Sequence, residues 1–190
     1  MSDWIADGHP LCVRRADPKE PPSREVIALG LARPGRQRMA VAADRAAVVR
    51  NESPPRVESI VSMAPPAWRD VLESLALGEC HAGVDMCVFG SLAWQAMTGL
   101  RYLHPDSDID VLATVHDERA LDDVVDLLCE QAERAPTRLD GEIVFPGDHA
   151  VAWREWAKGA DAVLVKHVAG VALRPRAWLL ERFACEVHAT

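Results

Sequence analysis

Val88-Phe-Gly-Ser-Leu-Ala-Trp-Gln-Ala-Met-Thr-Gly-Leu-Arg-Tyr-Leu-His-Pro-Asp-Ser-Asp-Ile-Asp-Val111 is the stretch on which the reading of the fold turns. Met86-Cys-Val-Phe89 is a short apolar run closed by Gly90, the pattern of a buried strand. Ser91 to Thr98 then reads as a helix, with Ser91 suited to its start and Gly99 to its end. His104-Pro-Asp-Ser107 makes a turn into the strand Asp108-Ile-Asp-Val-Leu-Ala-Thr-Val115. Residues two apart on a strand share a face, so Asp108 and Asp110 point the same way, about 6.5–7 Å apart, while Ile109 and Val111 enter the core.

Working outward, Asp117 to Glu133 places Leu121, Val124, Val125, Leu128 and Ala132 on one helical face. A strand is expected at Arg138–Phe145, with apolar segments at Ala150–Trp156, Ala162–Lys166 and Val171–Leu173. Trp178, Leu179, Leu180 and Phe183 predict a closing helix. Upstream, Trp68, Val71, Leu72 and Leu75 fall at helical spacing after Pro65-Pro66. Nine of the 13 prolines lie within residues 1–66, among short runs such as Val26-Ile-Ala-Leu29 and Met39-Ala-Val-Ala42 split by Arg33-Pro-Gly-Arg36. The expected fold is α+β with a mixed sheet: a small strand-rich module over residues 1–65 and a larger domain over 66–190.

A chain of 190 residues with 49% hydrophobic side chains has enough apolar material for a real core. No apolar run approaches the roughly 20 residues that span a bilayer, and no basic-then-apolar leader opens the chain, so a cytoplasmic protein is expected. The five cysteines are odd in number and scattered without a close pair, which argues for reduced thiols in or near the core. Net charge is −8, and residues 105–148 hold 13 acidic side chains against three basic ones. Such a surface cannot release counterions from a nucleic acid, so nucleic-acid partners are excluded. An anionic substrate approaches it only with a divalent cation between them.

Two carboxylates placed like Asp108 and Asp110 suit divalent ions of the kind used for displacement at phosphorus, and Mg2+ or Mn2+ is the expected cofactor. A third oxygen ligand can come from a neighbouring strand, about 4.8 Å away. Glu142 is preferred because Gly141 beside it permits close backbone approach, with Asp140 as its rival. Gly90-Ser91, at a strand end and helix start, offers unpaired N–H groups and a positive dipole end to a polyphosphate. A side chain at position 90 is expected to obstruct the phosphate and to spare the aspartates. Arg101, before the aspartate turn, is a candidate phosphate ligand through its forked donors, and Lys166 a candidate phosphate or pyrophosphate contact. Arg33, Arg36 and Arg38 form a basic loop able to steer an acidic partner. Trp153 and Trp156 read as packing residues, and the histidines show no metal-ligand spacing.

In this order of elements, Val88–Val111 resembles the nucleotidyltransferase superfamily, and more narrowly the holo-acyl-carrier-protein synthases of malonate decarboxylase, the phosphoribosyl-dephospho-CoA transferases. Asp140-Gly-Glu-Ile-Val-Phe-Pro-Gly147, Ala150-Val-Ala-Trp-Arg-Glu-Trp156 and Val163-Leu-Val-Lys166 are similar to that family's C-terminal half. Val13-Arg-Arg-Ala16 and Ile27-Ala-Leu-Gly-Leu31 are similar to its first module, and by this resemblance the present chain is expected to begin inside that module, without its initial strand. The resemblance implies a donor, 2′-(5″-triphosphoribosyl)-3′-dephospho-CoA, and an acceptor serine on the acyl-carrier subunit of malonate decarboxylase, with pyrophosphate leaving. Another nucleotidyltransferase that adenylylates a small molecule or protein is one alternative, and a binding module without turnover is the other. The paired aspartates favour turnover over the second.

Overall fold

A computed structural model of the chain describes residues 2–15, 23–35 and 37–186, so Arg36 of the basic loop lies outside the described residues. Two sheets are present. The smaller joins β1 (Cys12–Val13), β2 (Val26–Arg33) and β3 (Gln37–Asp44) in an antiparallel meander. The larger has the order β4-β5-β6-β7-β8-β9, from strands Asp85–Val88, Ile109–Thr114, Leu139–Phe145, His149–Ala152, Ala162–His167 and Gly170–Pro175. Only β5 and β6 run parallel; the other neighbours are antiparallel. The helices are α1 (Ser2–Ala6), α2 (Val57–Ile60), α3 (Pro66–Ala82), α4 (Gly90–Thr98), α5 (Glu118–Arg134), α6 (Trp153–Ala157) and α7 (Arg176–Glu186). The fold is α+β, with each expected element of the larger domain in its place.

The parallel pair follows from the long α5 crossover, which lets the chain return to the same end of the sheet before β6. Asp117 caps α5, its carboxylate accepting the Ala120 N–H at 2.7 Å. Alternation along β5 and β6 then sorts the side chains. Ile109, Val111, Leu139 and Ile143 are fully buried with Leu72 and Leu75 of α3, Leu128 of α5, Trp153 of α6 and Leu179 of α7. The opposite row carries Asp110, Asp140, Glu142 and Lys166 and stays partly open to solvent. Helices cover one face of the sheet, and the chemistry sits on the other.

Packing divides the chain earlier than the proline pair suggested. Val57, Ile60 and Ala64 belong to the core of the large sheet, and Arg56 bridges to Cys87. Arg56 also ion-pairs Asp85 and the buried Glu79, which compensates a carboxylate that would be costly alone. Residues 56–64 therefore pack with the larger unit. The thiols differ from expectation too: Cys12, Cys80 and Cys129 are exposed and Cys87 is half-buried, all free.

The small sheet leans on the large unit through an aromatic cluster. Trp4, Leu31 and Tyr102 are buried together with Trp94 against them, and the Tyr102 hydroxyl donates to the Ala32 carbonyl at 2.7 Å. At the other flank the Arg15 guanidinium donates to the His167 carbonyl at 3.1 Å. Among the described residues no helix is long and apolar enough to cross a membrane.

Gly141 sets how closely β6 lies beside β5. Its φ is +153°, and a Cβ there would stand 2.1 Å from the Val111 carbonyl oxygen, a backbone atom that cannot step aside. We expect Gly141→Ala to cost about 1–3 kcal/mol, the usual range for forced overpacking. In a domain of this size that lowers Tm by about 4–12 °C, measurable by differential scanning calorimetry.

Candidate active site

The site forms where β4 ends, α4 begins and β5 and β6 start. Phe89 N–H donates to the Asp110 carbonyl at 3.0 Å, pinning the end of β4 beside β5. Gly90 follows with φ +65°, the left-handed conformation that favours glycine, and opens α4 directly over Asp110. A Cβ at position 90 would lie 2.0 Å from the Asp110 Oδ2. The expectation that a side chain here spares the aspartates is therefore corrected: Gly90 is needed first for the Asp110 carboxylate.

Asp108 stands one residue before β5, held by the turn that precedes it. Ser107 is buried; its N–H donates to the His104 carbonyl at 3.0 Å and its Oγ accepts the His104 N–H at 2.9 Å. Thr137 Oγ1 donates to the Ser107 carbonyl at 2.9 Å, fastening this turn to the start of β6. In the parallel register Asp110 lies opposite Asp140. Burial first, and then the charges of Asp108 and Asp140, push the Asp110 carboxyl up to about 6, with Arg138 pulling the other way.

The two candidates for the third acidic position are placed differently by the fold. Glu142 lies opposite Leu112, one step further along, and its carboxylate is engaged by Lys166. Asp140 is the carboxylate brought to Asp110, because parallel register, rather than spacing within β6, decides the neighbour. Lys166 faces the same open side of the sheet, paired to Glu142. Ser91 is half-buried in the first turn of α4, beside Gly90. Arg101 is exposed and follows the C-terminal end of α4, whose nine residues span about 12 Å from Gly90 to Thr98. Trp153 and Trp156 are buried packing residues.

Arg138 was missed by the sequence reading. Its guanidinium pairs with Asp140 Oδ2 at 2.9 Å, while Asp140 Oδ1 accepts the Gly141 N–H at 3.0 Å. An arginine two residues before an aspartate at a strand start is a weak signal that only the cross-strand charge makes meaningful. Three mutually repelling carboxylates of hard oxygen donors suit a small divalent cation, and their shared charge is what such an ion relieves. Among the described residues their oxygens are not converged on one point, since Asp140 is turned onto Arg138.

Comparison with known proteins now bears directly on this site. The model of the phosphoribosyl-dephospho-CoA transferase MdcG C-terminal domain matches residues 56–177, which hold all three aspartates, and that of its N-terminal domain matches residues 1–54. The chain belongs to the phosphoribosyl-dephospho-CoA transferase family. It is a transferase by that membership. A phosphoribosyl-dephospho-CoA transferase of Xanthomonas campestris pv. campestris is 38% identical over 179 residues, 93% of this chain and 83% of the relative. Those of Bradyrhizobium diazoefficiens and Pseudomonas aeruginosa are 36% and 35% identical, over 93% and 84% of this chain and 78% and 74% of theirs. No solved structure matches the chain.

For this family member the raised Asp110 carboxyl has a stability signature. Between its ordinary value of 3.8 and about 6, the folded chain keeps a proton that the unfolded chain has lost. Stability therefore falls as pH rises through that window and stays reduced above it. We expect Asp110→Asn to have a higher Tm than wild type at pH 8 without added metal, with the difference vanishing towards pH 4. A scanning-fluorimetry series across pH checks this.

Proposed function

We propose that this chain transfers the phosphoribosyl-dephospho-CoA group from 2′-(5″-triphosphoribosyl)-3′-dephospho-CoA to a serine on the acyl-carrier subunit of malonate decarboxylase. The observation that carries the reading is the pairing of Asp110 with Asp140 across the parallel strands, with the Asp108 charge acting on Asp110 and the Gly90 start of α4 beside it, in a chain of this family. The first N–H groups of α4, with the Ser91 hydroxyl, receive the donor's phosphates and hold the α-phosphorus over the carboxylates. The serine oxygen attacks that phosphorus, the bond to the bridging oxygen of the β-phosphate breaks, and pyrophosphate leaves. The serine proton passes to a carboxylate of the cluster. Asp108, Asp110 and Asp140 are the residues to hold Mg2+ or Mn2+, which when bound neutralises charge developing on the phosphate oxygens. Arg138 and Lys166 are the cations of the same open face, available to the phosphates once drawn from their carboxylate partners.

The test is to incubate the chain with apo-carrier, donor and magnesium, and to weigh the carrier by mass spectrometry. Wild type adds one prosthetic group per carrier. Asp110→Asn and Asp140→Asn are each expected to slow transfer on the order of a thousandfold, and Glu142→Gln less than about tenfold. Near wild-type rates in the aspartate variants remove the assignment, and a reversed ranking gives the third place to Glu142.

A further inference from the structure

A groove at the C-terminal end of α4 has a composition unlike the rest of this acidic chain. Met63, Pro65, Leu100 and Leu103 supply apolar walls, Arg101 and His104 supply the ionisable groups, and no acidic side chain lines it among the described residues. Met63 and Leu100 are exposed although large and apolar. The wall is firm: the Gln95 side-chain oxygen accepts both the Tyr102 and Leu103 N–H groups, at 3.1 and 3.2 Å.

Two further cations belong to the hairpin that is hydrogen-bonded to the groove's loop. The Tyr102–Ala32 hydrogen bond brings the tip of the β2–β3 hairpin to this loop, where the Arg33 charge acts on the Tyr102 phenol and Arg38 pairs across from Ala32. At its other end the groove is bounded by the start of the turn that precedes the aspartates. His104 and Pro105 line it, and the turn closed by Ser107 leads directly to Asp108.

Two physical points choose the occupant. The groove is shallow and open, whereas small-molecule sites bury most of the ligand's surface. The donor's phosphates also have their own donors at the opposite end of α4. We propose that this groove docks the protein acceptor of the transfer, an acidic carrier. An apolar side chain of the carrier settles between Met63, Leu100 and Leu103, and its acidic side chains face Arg101, Arg33 and Arg38. The acceptor serine is thereby presented over Asp108 and Asp110. The inference rests on the transferase reading above, and it moves Arg101 from the donor's phosphates to the carrier.

Steady-state kinetics on the full chain, with carrier and donor varied separately, test it. Leu100→Asp and Arg101→Glu are each expected to raise the carrier KM about tenfold or more, leaving donor KM and calorimetric donor affinity unchanged. The wild-type carrier KM should rise with salt, and less so in Arg101→Glu. Leu173→Asp, on the exposed β9 strand, is the distant control and should match wild type. An unchanged carrier KM in both groove variants overturns the docking surface while wild-type transfer keeps the reaction intact. Equal loss in Leu173→Asp, or weakened donor affinity in Arg101→Glu, overturns it as well. A wild type that neither binds nor modifies the carrier overturns the transferase reading and the docking surface together.

Discussion

Everything chemical in this structure depends on bringing like charges together at the start of two parallel strands. Asp110 and Asp140 face each other across one strand spacing, with Asp108 adjacent, in a partly buried place where their repulsion is not fully screened. Two glycines make this approach possible. Gly141 removes the side chain that would strike the Val111 backbone, and Gly90 removes the one that would strike the Asp110 carboxylate. Arg138 partly offsets the repulsion by pairing with Asp140. The arrangement costs stability, as closely placed like charges in a partly buried position do.

The surrounding architecture serves that constraint by separating packing from chemistry. Helices α3, α5, α6 and α7 gather the apolar rows of the six-stranded sheet, and the alternate rows are left to polar side chains. The small sheet then meets the large unit at two flanks, Tyr102 on one and His167 on the other. Its attachment at Tyr102 is the more deeply buried of the two. That residue joins the hairpin carrying Arg33 and Arg38 to the loop that leads from α4 to Asp108.

Much of this was legible in the residues. Local chemistry fixes local structure: alternation marked β5 and β6, Ser91 and Gly99 bounded α4 to within a residue, and Asp108-Ile-Asp110 declared its shared face. Gly90 stands at the strand end and helix start that its residue type suggests, and its closeness to Asp110 comes from the fold. Trp153 and Trp156 were read as packing residues and are buried.

What tertiary structure decided is everything set by pairing between distant segments. A period of two cannot say whether Asp140 or Glu142 meets Asp110, because both lie on the same face; the register of a parallel pair separated by α5 chooses Asp140 and leaves Glu142 to Lys166. Arg101 sits close to Asp108 in sequence, yet the length of α4 carries it away from the helix start. Residues 56–64 precede the proline pair in sequence, yet Val57, Ile60 and Ala64 pack in the larger core. The sequence by itself determined the elements and the faces on which the acidic side chains lie, since these follow from neighbours along the chain. Which groups stand together was settled only by strand register and helix length, which depend on the packing of the whole.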